Sequence, residues 1–383
     1  MRFPENFLYT TEGIIFLIFL FFALTQLLYY WYYFARVAFM KTHIGNKQAT
    51  EQPAVSVIIC AKNEYENLKN NLSLILEQDY QDFEVILVND FSQDDSYFLL
   101  KSLEEKYSHF KVIHLRDNVN FFEGKKLALA VGIKSAKNEH ILLTDADCRP
   151  AGKNWIQSMS ACFDDKKEMV LGYGAYESKP GFLNKLIRFD TICVAMQYLG
   201  FALAGSPYMG VGRNLAYRKS LFFKAGGFAS HYKIKSGDDD LFVNKVATKK
   251  NTTVCLHPES ITYSVPKPDF ASWFRQKKRH LSTGVHYKFS HKFKLGLFAL
   301  SGNLFYLAFV VFLFFAQSSL SLLIVSGLFA LRTISLVLLH YYAGKRFLER
   351  KLFLYSPIFD LLLIFLNPVF AISNLFYRKN KWK

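Results

Sequence analysis

Two aspartates with one residue between them, Asp145 and Asp147, directly follow an apolar run that begins at Ile141. A short apolar run of this kind is typical of a buried strand, and ligands bind beyond the C-terminal ends of strands in open α/β sheets. Two carboxylates placed there repel each other unless a cation lies between them. The pair therefore indicates a divalent metal that holds a phosphorylated ligand, although acid pairs without a metal are common on solvated loops.

Alternating strand and helix patterns surround this acid pair and predict the elements that position it. Buried strands are predicted at residues 55–61, 83–88, 111–115 and 140–144. Helices with an apolar residue every three or four positions are predicted at residues 66–78, 97–107 and 124–135. This alternation predicts an α/β domain with a parallel, doubly wound sheet. Neither the Gly-x-Gly-x-x-Gly fingerprint nor a phosphate loop follows the first strand.

Four long apolar blocks lie outside this region, and each is near the ~20 residues that a membrane-spanning helix needs. The blocks are residues 13–34, 295–316, 320–343 and 352–376. The first block lacks the basic flank and the small-residue cleavage site of a signal peptide, so we interpret it as a retained anchor. The predicted organisation is an N-terminal transmembrane anchor at residues 1–40, a water-soluble domain at 41–292 and a C-terminal membrane region at 293–383.

Basic residues cluster beside the apolar blocks of this chain, whose formal net charge is +16. They form no stripe with interleaved aromatic residues, so we expect no nucleic-acid partner. The positive-inside rule instead places the water-soluble domain in the cytoplasm, with the basic flanks on membrane lipids. Pro357, Asp360, Asn367 and Pro368 interrupt the last block. A re-entrant hairpin there would keep the basic C-terminal tail inside, and we prefer it to a third span.

Several short motifs occur in a fixed order along the domain. They are Ala61-Lys62-Asn63-Glu64, Val88-Asn89-Asp90-Phe91-Ser92, Gly124-Lys125, Asp145-Ala146-Asp147, Gly212-Arg213-Asn214, Gly237-Asp238-Asp239-Asp240-Leu241 and Arg275-Gln276-Lys277-Lys278-Arg279-His280. This ordered set resembles the membrane-embedded family 2 glycosyltransferases, which include the cellulose, chitin and hyaluronan synthases. The resemblance covers roughly residues 55–284. It implies an α/β, Rossmann-like GT-A catalytic domain flanked by transmembrane helices.

The resemblance implies a binding site for a nucleotide-diphosphate sugar at the strand ends. The residues expected around the base and ribose are Ala61, Asn63, Glu64, Asp90 and Asp145. Lys125 is expected to reach phosphate oxygens as a point charge. A helix cap or turn remains an alternative role for Asp90, as does a solvated helix start for Lys125.

The resemblance also implies a divalent cation, Mg²⁺ or Mn²⁺, held by Asp147 together with Asp145. Such an ion would bridge the two phosphates and stabilise the leaving group. The nearby Cys148 is a poor ligand candidate because hard, oxygen-seeking cations reject thiolates. His257 is an additional ligand candidate, but a loop histidine without a metal role is the preferred interpretation.

Three consecutive acids, Asp238, Asp239 and Asp240, follow a glycine. Adjacent like charges raise the pKa of a carboxyl group, which can then act as a base near neutral pH. In the family's two-acid motif the second acid is the base, which implies Asp239, with Asp238 as the next catalytic candidate. The alternative is a solvated helix N-terminus, where acids interact favourably with the helix dipole, and both can hold.

Gln276, Arg279 and His280 stand where the family usually has Gln-x-x-Arg-Trp, and they are expected near the diphosphate and the acceptor. Arg279 can form a two-pronged contact with a phosphate, whereas Lys277 and Lys278 are expected to contact lipid head groups. The tryptophan helps to seat the acceptor sugar in the polymer synthases. His280 in its place therefore argues against processive polymerisation. In the family, residues 180–212 border the acceptor, although a core or interfacial helix is the default interpretation.

The sequence thus predicts an inverting, metal-dependent hexosyltransferase in the bacterial inner membrane. We expect it to transfer a sugar from a nucleotide-diphosphate sugar, a UDP-sugar by preference, to a lipid or lipid-linked acceptor. A processive polysaccharide synthase is the enzymatic alternative. A membrane scaffold without catalytic activity is the alternative from another class.

Overall fold

The computed structural model describes residues 3, 5–40, 52–115, 125–234 and 236–376. Some positions used in the sequence analysis lie outside these residues. They are Gly124 at the start of a predicted helix, Lys41 and Lys47 after the first apolar block, and the basic tail from residue 378 onward.

The strands of the described residues form one seven-stranded and one three-stranded sheet. In chain order they are β1 (Val55–Ala61), β2 (Phe83–Asp90), β3 (Phe110–Leu115), β4 (His140–Asp145), β5 (Cys148–Pro150), β6 (Met169–Leu171), β7 (Gly174–Tyr176), β8 (Leu215–Arg218), β9 (Thr252–Val254) and β10 (Thr262–Ser264). The large sheet has the order β3-β2-β1-β4-β8-β6-β9, and the small sheet has the order β5-β10-β7.

The first four strands pair in parallel, as predicted. Strand β8 then lies antiparallel between β4 and β6, and β9 is parallel to β6. The predicted α/β class is therefore confirmed, but the sheet is mixed rather than wholly parallel because β8 runs against both of its neighbours.

The helices follow the apolar spacing of the sequence. In chain order they are α1 (Thr11–Tyr29), α2 (Ala35–Ala38), α3 (Tyr65–Leu76), α4 (Ser96–Lys106), α5 (Lys126–Ser135), α6 (Trp155–Ser160), α7 (Phe182–Leu203), α8 (Lys219–Lys224), α9 (Asp240–Val246), α10 (Phe270–Leu281), α11 (Phe289–Phe315), α12 (Ser319–Arg346) and α13 (Ser356–Phe376). Helix α3 is an example of this spacing, because its apolar residues are all buried on one side: Leu68, Leu72, Ile75 and Leu76.

Side chains on the two faces of the large sheet enter two different hydrophobic cores. Val57 and Ile59 of β1 pack on one face with α3, and Ile58 and Cys60 pack on the other face with α5. This alternation is the two-residue period of a strand covered on both faces. The second core also includes Leu339 of α12, so the membrane helices and the sheet share one packed interior.

Five helices among the described residues are long and apolar enough to cross a membrane. They are Thr11–Ala38, Phe182–Leu203, Phe289–Phe315, Ser319–Arg346 and Leu352–Asn374. The first continues from α1 through a π turn at Tyr30–Phe34 into α2. Helix α7 is the most buried of the five. It approaches the π turn closely because Gly200 has no Cβ, which would lie 2.6 Å from the carbonyl oxygen of Tyr33.

A buried arginine links the helices of the membrane region. Arg332 of α12 is 1% exposed and donates to Tyr306 Oη of α11 at 2.9 Å and to Asp360 Oδ2 of α13 at 2.6 Å. It also donates to Gln26 Oε1 of α1 at 3.3 Å. A charge buried this deeply persists only when it is paired and hydrogen-bonded. The network therefore fixes these four helices against one another.

The last apolar block forms one continuous helix, α13, with Pro368 inside it. The re-entrant hairpin preferred from the sequence is therefore wrong. Pro357 lies in the first turn of α13, where a missing N–H group costs no helical hydrogen bond. Asp360 is tolerated because Arg332 neutralises it.

Both ends of α13 lie against helices α7 and α10. Near its start, the ring of Phe359 is 5.5 Å from the ring of Phe189. Near its end, the ring of Phe370 is 5.4 Å from that of Trp273, and Asn374 donates to the Lys278 carbonyl at 2.9 Å. Helix α13 therefore runs alongside α7 and α10.

Candidate active site

The C-terminal ends of the central strands meet at one edge of the large sheet. Strand β1 lies between β2 and β4, with Ala61 opposite Asn89 and Cys60 opposite Asp145. Asp90 ends β2 beside them. This edge adjoins the β1–β4 pair, where the order of the strands reverses, which is the usual place for a ligand in open α/β sheets.

The loops after β1 and β2 are joined by Asn63, which adopts a positive φ of 54°. Asparagine tolerates this conformation better than most residues. The Asn63 N–H group donates to Ser92 Oγ at 2.9 Å, and Asn63 Oδ1 accepts from the Gln93 N–H group at 2.8 Å. Asp94 accepts from the Tyr65 N–H group at 2.9 Å. The two loops therefore form one rigid rim.

The structure brings the predicted base and ribose residues together at this rim. Ala61 is buried, Asn63 is exposed, and Glu64 and Asp90 are half-buried. Glu64 accepts from Asn67 of α3 at 2.5 Å. Burial raises the pKa of Asp90, and the nearby Lys62 opposes this effect. The rim therefore presents polar groups and a carboxyl group beside a buried strand end.

The acid pair lies one strand away from this rim. Asp145 and Lys125 form a close ion pair. Burial acts to raise the pKa of Asp145, but Lys125 outweighs it and holds that pKa below its ordinary value. Burial raises the pKa of Asp147, and the adjacent Asp145 raises it further. The two acids thus differ: Asp145 is stabilised as a carboxylate, whereas Asp147 is disfavoured in its charged form.

The donor atoms around Asp147 fit a hard divalent cation. Ligand atoms of Asp145, Asp147 and Cys148 lie within 4.8 Å of one another. Burial and then Asp147 raise the pKa of the Cys148 thiol, which donates to Asp147 Oδ1 at 3.5 Å. A protonated thiol is no ligand, so the carboxylate oxygens remain, and these are the atoms that Mg²⁺ and Mn²⁺ prefer. A cation would also relieve the repulsion between the two acids.

Arg213 also belongs to this site, although its motif in the sequence predicts no role for it. Its guanidinium carbon lies 4.4 Å from the centre of the Tyr176 ring, and Nη1 donates to Ser264 Oγ at 3.0 Å. Its positive charge acts on both Asp145 and Asp147. The available signal was an arginine next to a glycine, which is too common to single out.

The second acid of the triplet, Asp239, faces the same region from the start of α9. Asp239 Oδ2 accepts from the Gly212 N–H group, and Oδ1 accepts from the Asp240 N–H group, both at 2.7 Å. Burial, then Asp238 and Asp240, raise the pKa of Asp239 to about 7. The structure therefore supplies a carboxyl group that is held in place and titrates near neutral pH. Asp239 also caps the start of α9, but it is half-buried there rather than solvated.

Asp240 differs from its neighbours because it is buried and fully engaged by the protein. Asp240 Oδ2 accepts from Thr283 Oγ1 and, at 2.7 Å, from Tyr287 Oη. Oδ1 accepts from the Leu241 N–H group at 2.7 Å. These contacts tie α9 to the segment after α10. Asp238 is half-buried beside Asp239.

Lys126 is a second residue that sequence reasoning missed. It is fully buried, and Nζ donates to the carbonyl oxygens of His231 and Ser236 at 2.9 and 2.8 Å and to that of Ile234. Burial lowers the pKa of Lys126, while the acid triplet opposes this effect. The segment held in this way leads directly into the triplet, so Lys126 positions it. Lys125 and Lys126 are adjacent in sequence, but Lys125 pairs with Asp145 whereas Lys126 holds the segment before the triplet.

Helix α10 carries the residues expected on the acceptor side. Gln276 Nε2 donates to Tyr176 Oη at 3.0 Å, and so joins the ring that lies under Arg213. The charge of Arg279 acts on Asp145, and Arg279 Nη2 lies 3.3 Å from His280 Nε2. The structure thus brings Arg279 within electrostatic reach of Asp145 and Gln276 to the ring beneath Arg213, while His280 is exposed.

One expectation for this region needs correction. Lys277 does not extend to lipid head groups, because its Nζ forms an ion pair with Asp190 of α7 at 2.8 Å. The pair is nearly buried and fixes α10 against α7. His257 is not among the clustered ligand atoms of the described residues. Its Nδ1 accepts from the Glu259 N–H group at 3.3 Å and caps a short 3-10 turn.

Comparison with known proteins agrees with this geometry. Residues 56–229 match the sequence model of glycosyl transferase family 2. A probable glycosyltransferase, YdaM, from Bacillus subtilis (strain 168) is 28% identical over 278 residues, which are 69% of this chain and 64% of the relative. Poly-beta-1,6-N-acetyl-D-glucosamine synthase from Staphylococcus aureus (strain COL) is 28% identical over 160 residues, which are 41% of this chain and 37% of the relative. The match thus spans less than two thirds of the length of either relative.

A solved structure shares the fold. The mannosyltransferase PcManGT from Pyrobaculum calidifontis, in complex with GDP-Man and Mn²⁺, superposes with a TM-score of 0.56 and 18% sequence identity. The superposition covers 91% of this chain and 98% of that one. The resemblance and the GT-A fold expected from the sequence are therefore confirmed. Residues 56–229 thus match glycosyl transferase family 2 and lie in a domain of the GT-A fold, with apolar helices on both sides.

Proposed function

We propose that this glycosyltransferase is metal-dependent and inverting, and that it moves one sugar from a nucleotide-diphosphate sugar, a UDP-sugar by preference, to a lipid or lipid-linked acceptor. The observation that carries the proposal is the acid pair at the end of β4. Asp145 is ionised by its contact with Lys125, whereas Asp147 is left beside it with a raised pKa. A divalent cation and a diphosphate together would balance the charges of this site.

Donor binding is assigned to the rim and to the cations behind it. Asp90 can accept a hydrogen bond from the base, since a carboxylate at a strand end faces the ligand edge. Lys125, Arg213 and Arg279 place three positive charges around the acid pair. Asp147, with Asp145, would hold the cation. A bound Mg²⁺ or Mn²⁺ would supply the charge that stabilises the departing nucleoside diphosphate.

Asp239 is proposed as the general base. The acceptor hydroxyl must lose its proton as its oxygen attacks the anomeric carbon, and a carboxylate with a pKa of about 7 can accept that proton near neutral pH. The N–H groups of Gly212 and Asp240 fix the carboxylate. A base on one side of the sugar and a diphosphate on the other perform a single displacement, which inverts the configuration of the anomeric carbon.

The membrane arrangement is proposed from the apolar helices and the flanking charges. We assign residues 1–40 to an anchor, 41–292 to a cytoplasmic domain and 293–383 to the membrane region. Because both ends of α13 lie against α7 and α10, α13 would begin and end on the domain's side of the membrane. The basic tail would then lie inside, as the positive-inside rule requires. Cysteine-labelling of intact cells tests this, since domain sites should not react from outside.

A processive polysaccharide synthase remains the second candidate, because relatives of this chain include poly-beta-1,6-N-acetyl-D-glucosamine synthases. The presence of His280 where the polymer synthases have tryptophan favours single addition. The mass of the products formed by the purified protein separates the two candidates.

A screen of nucleotide-sugars by thermal shift, with Mn²⁺, Mg²⁺ or EDTA, tests the proposed function. One nucleotide-sugar should raise the unfolding temperature in the presence of metal, and the nucleoside diphosphate should be released when acceptor lipids are added. A catalytically silent scaffold predicts neither result.

A further inference from the structure

A polar cleft of about 400 Å³ opens between the small sheet and the loop that follows α12. Its volume lies within the range of small-molecule binding sites. The residues that line it are Arg149, Tyr176, Glu177, Ser178, Arg188, Tyr263, Leu348 and Glu349. The site described above uses only Tyr176 of these, as the ring beneath Arg213.

The cleft has two walls from different parts of the chain. One wall is the small sheet, with Arg149 on β5, Tyr176 on β7 and Tyr263 on β10. The other wall is the short loop between α12 and the turn before α13, which contains Glu349 and the positive φ of 59° at Leu348. A leucine in this conformation is strained, and strain of this kind is retained where the surrounding structure enforces it.

An ion pair enforces the shape of that loop. Glu349 is 4% exposed, and Arg188 of α7 donates to it through Nε at 2.8 Å and through Nη2. Arg188 also donates to Ser178 Oγ at 2.7 Å. The Glu349 N–H group donates to the Gly344 carbonyl at 2.7 Å. The membrane helices and α7 thus hold the outer wall of the cleft in one position.

The cleft and the proposed catalytic site share one residue, Tyr176. Tyr176 lines the cleft, lies under Arg213 at 4.4 Å and accepts from Gln276 at 3.0 Å. Arg149 follows Asp147 by two residues. A ligand in the cleft would therefore contact the Tyr176 ring, which Arg213 and Gln276 also contact.

The charges that line the cleft cancel. Two arginines face two glutamates, and each arginine is paired: Arg149 with Glu177 at 3.0 Å, and Arg188 with Glu349. Arg149 also lies over the ring of Tyr263 at 5.1 Å. A balanced set of charges gives no net attraction to an anion. The cleft offers many hydrogen-bond donors and acceptors, which suit the hydroxyl groups of a neutral polyhydroxyl compound. Its flat tyrosine rings suit one apolar face of such a compound.

We propose that this cleft binds a neutral saccharide unit of the acceptor and holds it next to the transferred sugar. The identification of this saccharide as part of the acceptor rests on the proposed function. The loop of Leu348 and Glu349 joins two apolar helices, so an acceptor with a lipid tail could place its sugar here while its tail stays in the bilayer.

Saturation-transfer NMR of the full chain in lipid nanodiscs tests the proposal. The probes are the methyl glycosides of glucose, galactose, mannose and N-acetylglucosamine, and the anionic methyl glucuronide. At least one neutral probe should bind, and the glucuronide should bind more weakly. Arg149→Ala should weaken the binding of the neutral probe about tenfold, since hydrogen bonds to a charged group are lost. Glu177→Gln, which keeps the shape, should weaken it in the same direction.

Tyr107→Ala is the matched control, because Tyr107 lies between α4 and β3, an edge strand of the large sheet, and does not line the cleft. Asp147→Ala should leave glycoside binding unchanged, so that failure of the proposed donor chemistry is distinguished from failure of the cleft. Binding of no neutral glycoside would overturn the proposal. So would binding that survives both cleft variants in folded protein, or a glucuronide that binds more tightly than every neutral probe.

Discussion

Replacement of Asp239 by asparagine is the sharpest test of the proposed base. The substitution keeps the size of the side chain and removes its ability to accept a proton. A general base typically contributes about 10²–10⁴-fold to a rate, so transfer should fall at least about 100-fold. Donor affinity in the presence of Mn²⁺ should survive, because Asp239 contacts Gly212 and Asp240 rather than the acid pair.

The stability of Asp239→Asn can also be worked out from the structure. The pKa of Asp239 is raised from 3.8 to about 7, so folding favours its protonated form. Protonation of Asp239 therefore adds to the free energy of unfolding at low pH, and this contribution is lost as the pH rises toward 7. At ~1.4 kcal/mol per pKa unit, the loss is about 4 kcal/mol. The asparagine cannot ionise, so the variant avoids this loss. However, the NH2 group of its amide faces one of the N–H donors and cannot accept from it, which costs about 1–3 kcal/mol. At pH 8 the variant should therefore unfold no lower than the wild type.

Nucleoside diphosphate release and calorimetric donor binding, measured from pH 6 to 8.5, complete the test. Wild-type transfer should rise with pH through about 7, because Asp239 must be deprotonated to act. The residual activity of the variant should lack this inflection. Asp238→Asn is the matched neighbour. Near-normal turnover by folded Asp239→Asn would refute the assignment and make Asp238 the next candidate. Loss of both donor binding and transfer would instead mean that the triplet stabilises the fold or holds the metal.

Asp147→Ala should abolish metal-dependent nucleotide-sugar binding, measured by calorimetry, without lowering the unfolding temperature. The control variant Asp165→Ala, at an exposed position, should bind normally. Unchanged affinity of Asp147→Ala in Mn²⁺ would show that the acid pair does not bind the metal or the donor. Lys126→Met should lower the unfolding temperature and reduce transfer more than donor affinity, because three carbonyl groups before the acid triplet lose their donor. Lys134→Met on the exposed side of α5 is its control, and equal effects of the two substitutions would contradict the positioning role. Mass spectrometry should show addition of one or few sugars, as expected with His280 in place of tryptophan; long ladders of polymer would contradict this.

The strand ends were predictable because long, buried strands leave a strong pattern. Strand β1 matches its prediction residue for residue, and β4 differs by one residue at Asp145. Strand β2 continues two residues further than expected, to Asp90, because β3 pairs with it there. Local patterns contain no information about such a pairing partner.

The rest of the site depends on contacts that no local pattern shows. Lys126 resembles any lysine at a helix start until the fold buries it under the segment before the triplet. The cleft walls use strands of three residues, which are too short for a period to appear. Helix α13 was mistaken for a hairpin because Asp360 is neutralised by a partner 28 residues away.

The buried polar residues of the first helix have a consequence for how the chain is made. Gln26 finds its partners in Ser301, 275 residues later, and in Arg332, 306 residues later. Glu12 accepts from the N–H group of Ser318, also 306 residues away. An amide and a carboxyl group in a bilayer are costly until such partners arrive. The buried polar side chains of the first helix therefore stay without these partners until most of the chain has been synthesised. Shortened chains that end before α12 would lack the partners, and we expect quality-control proteases to remove them.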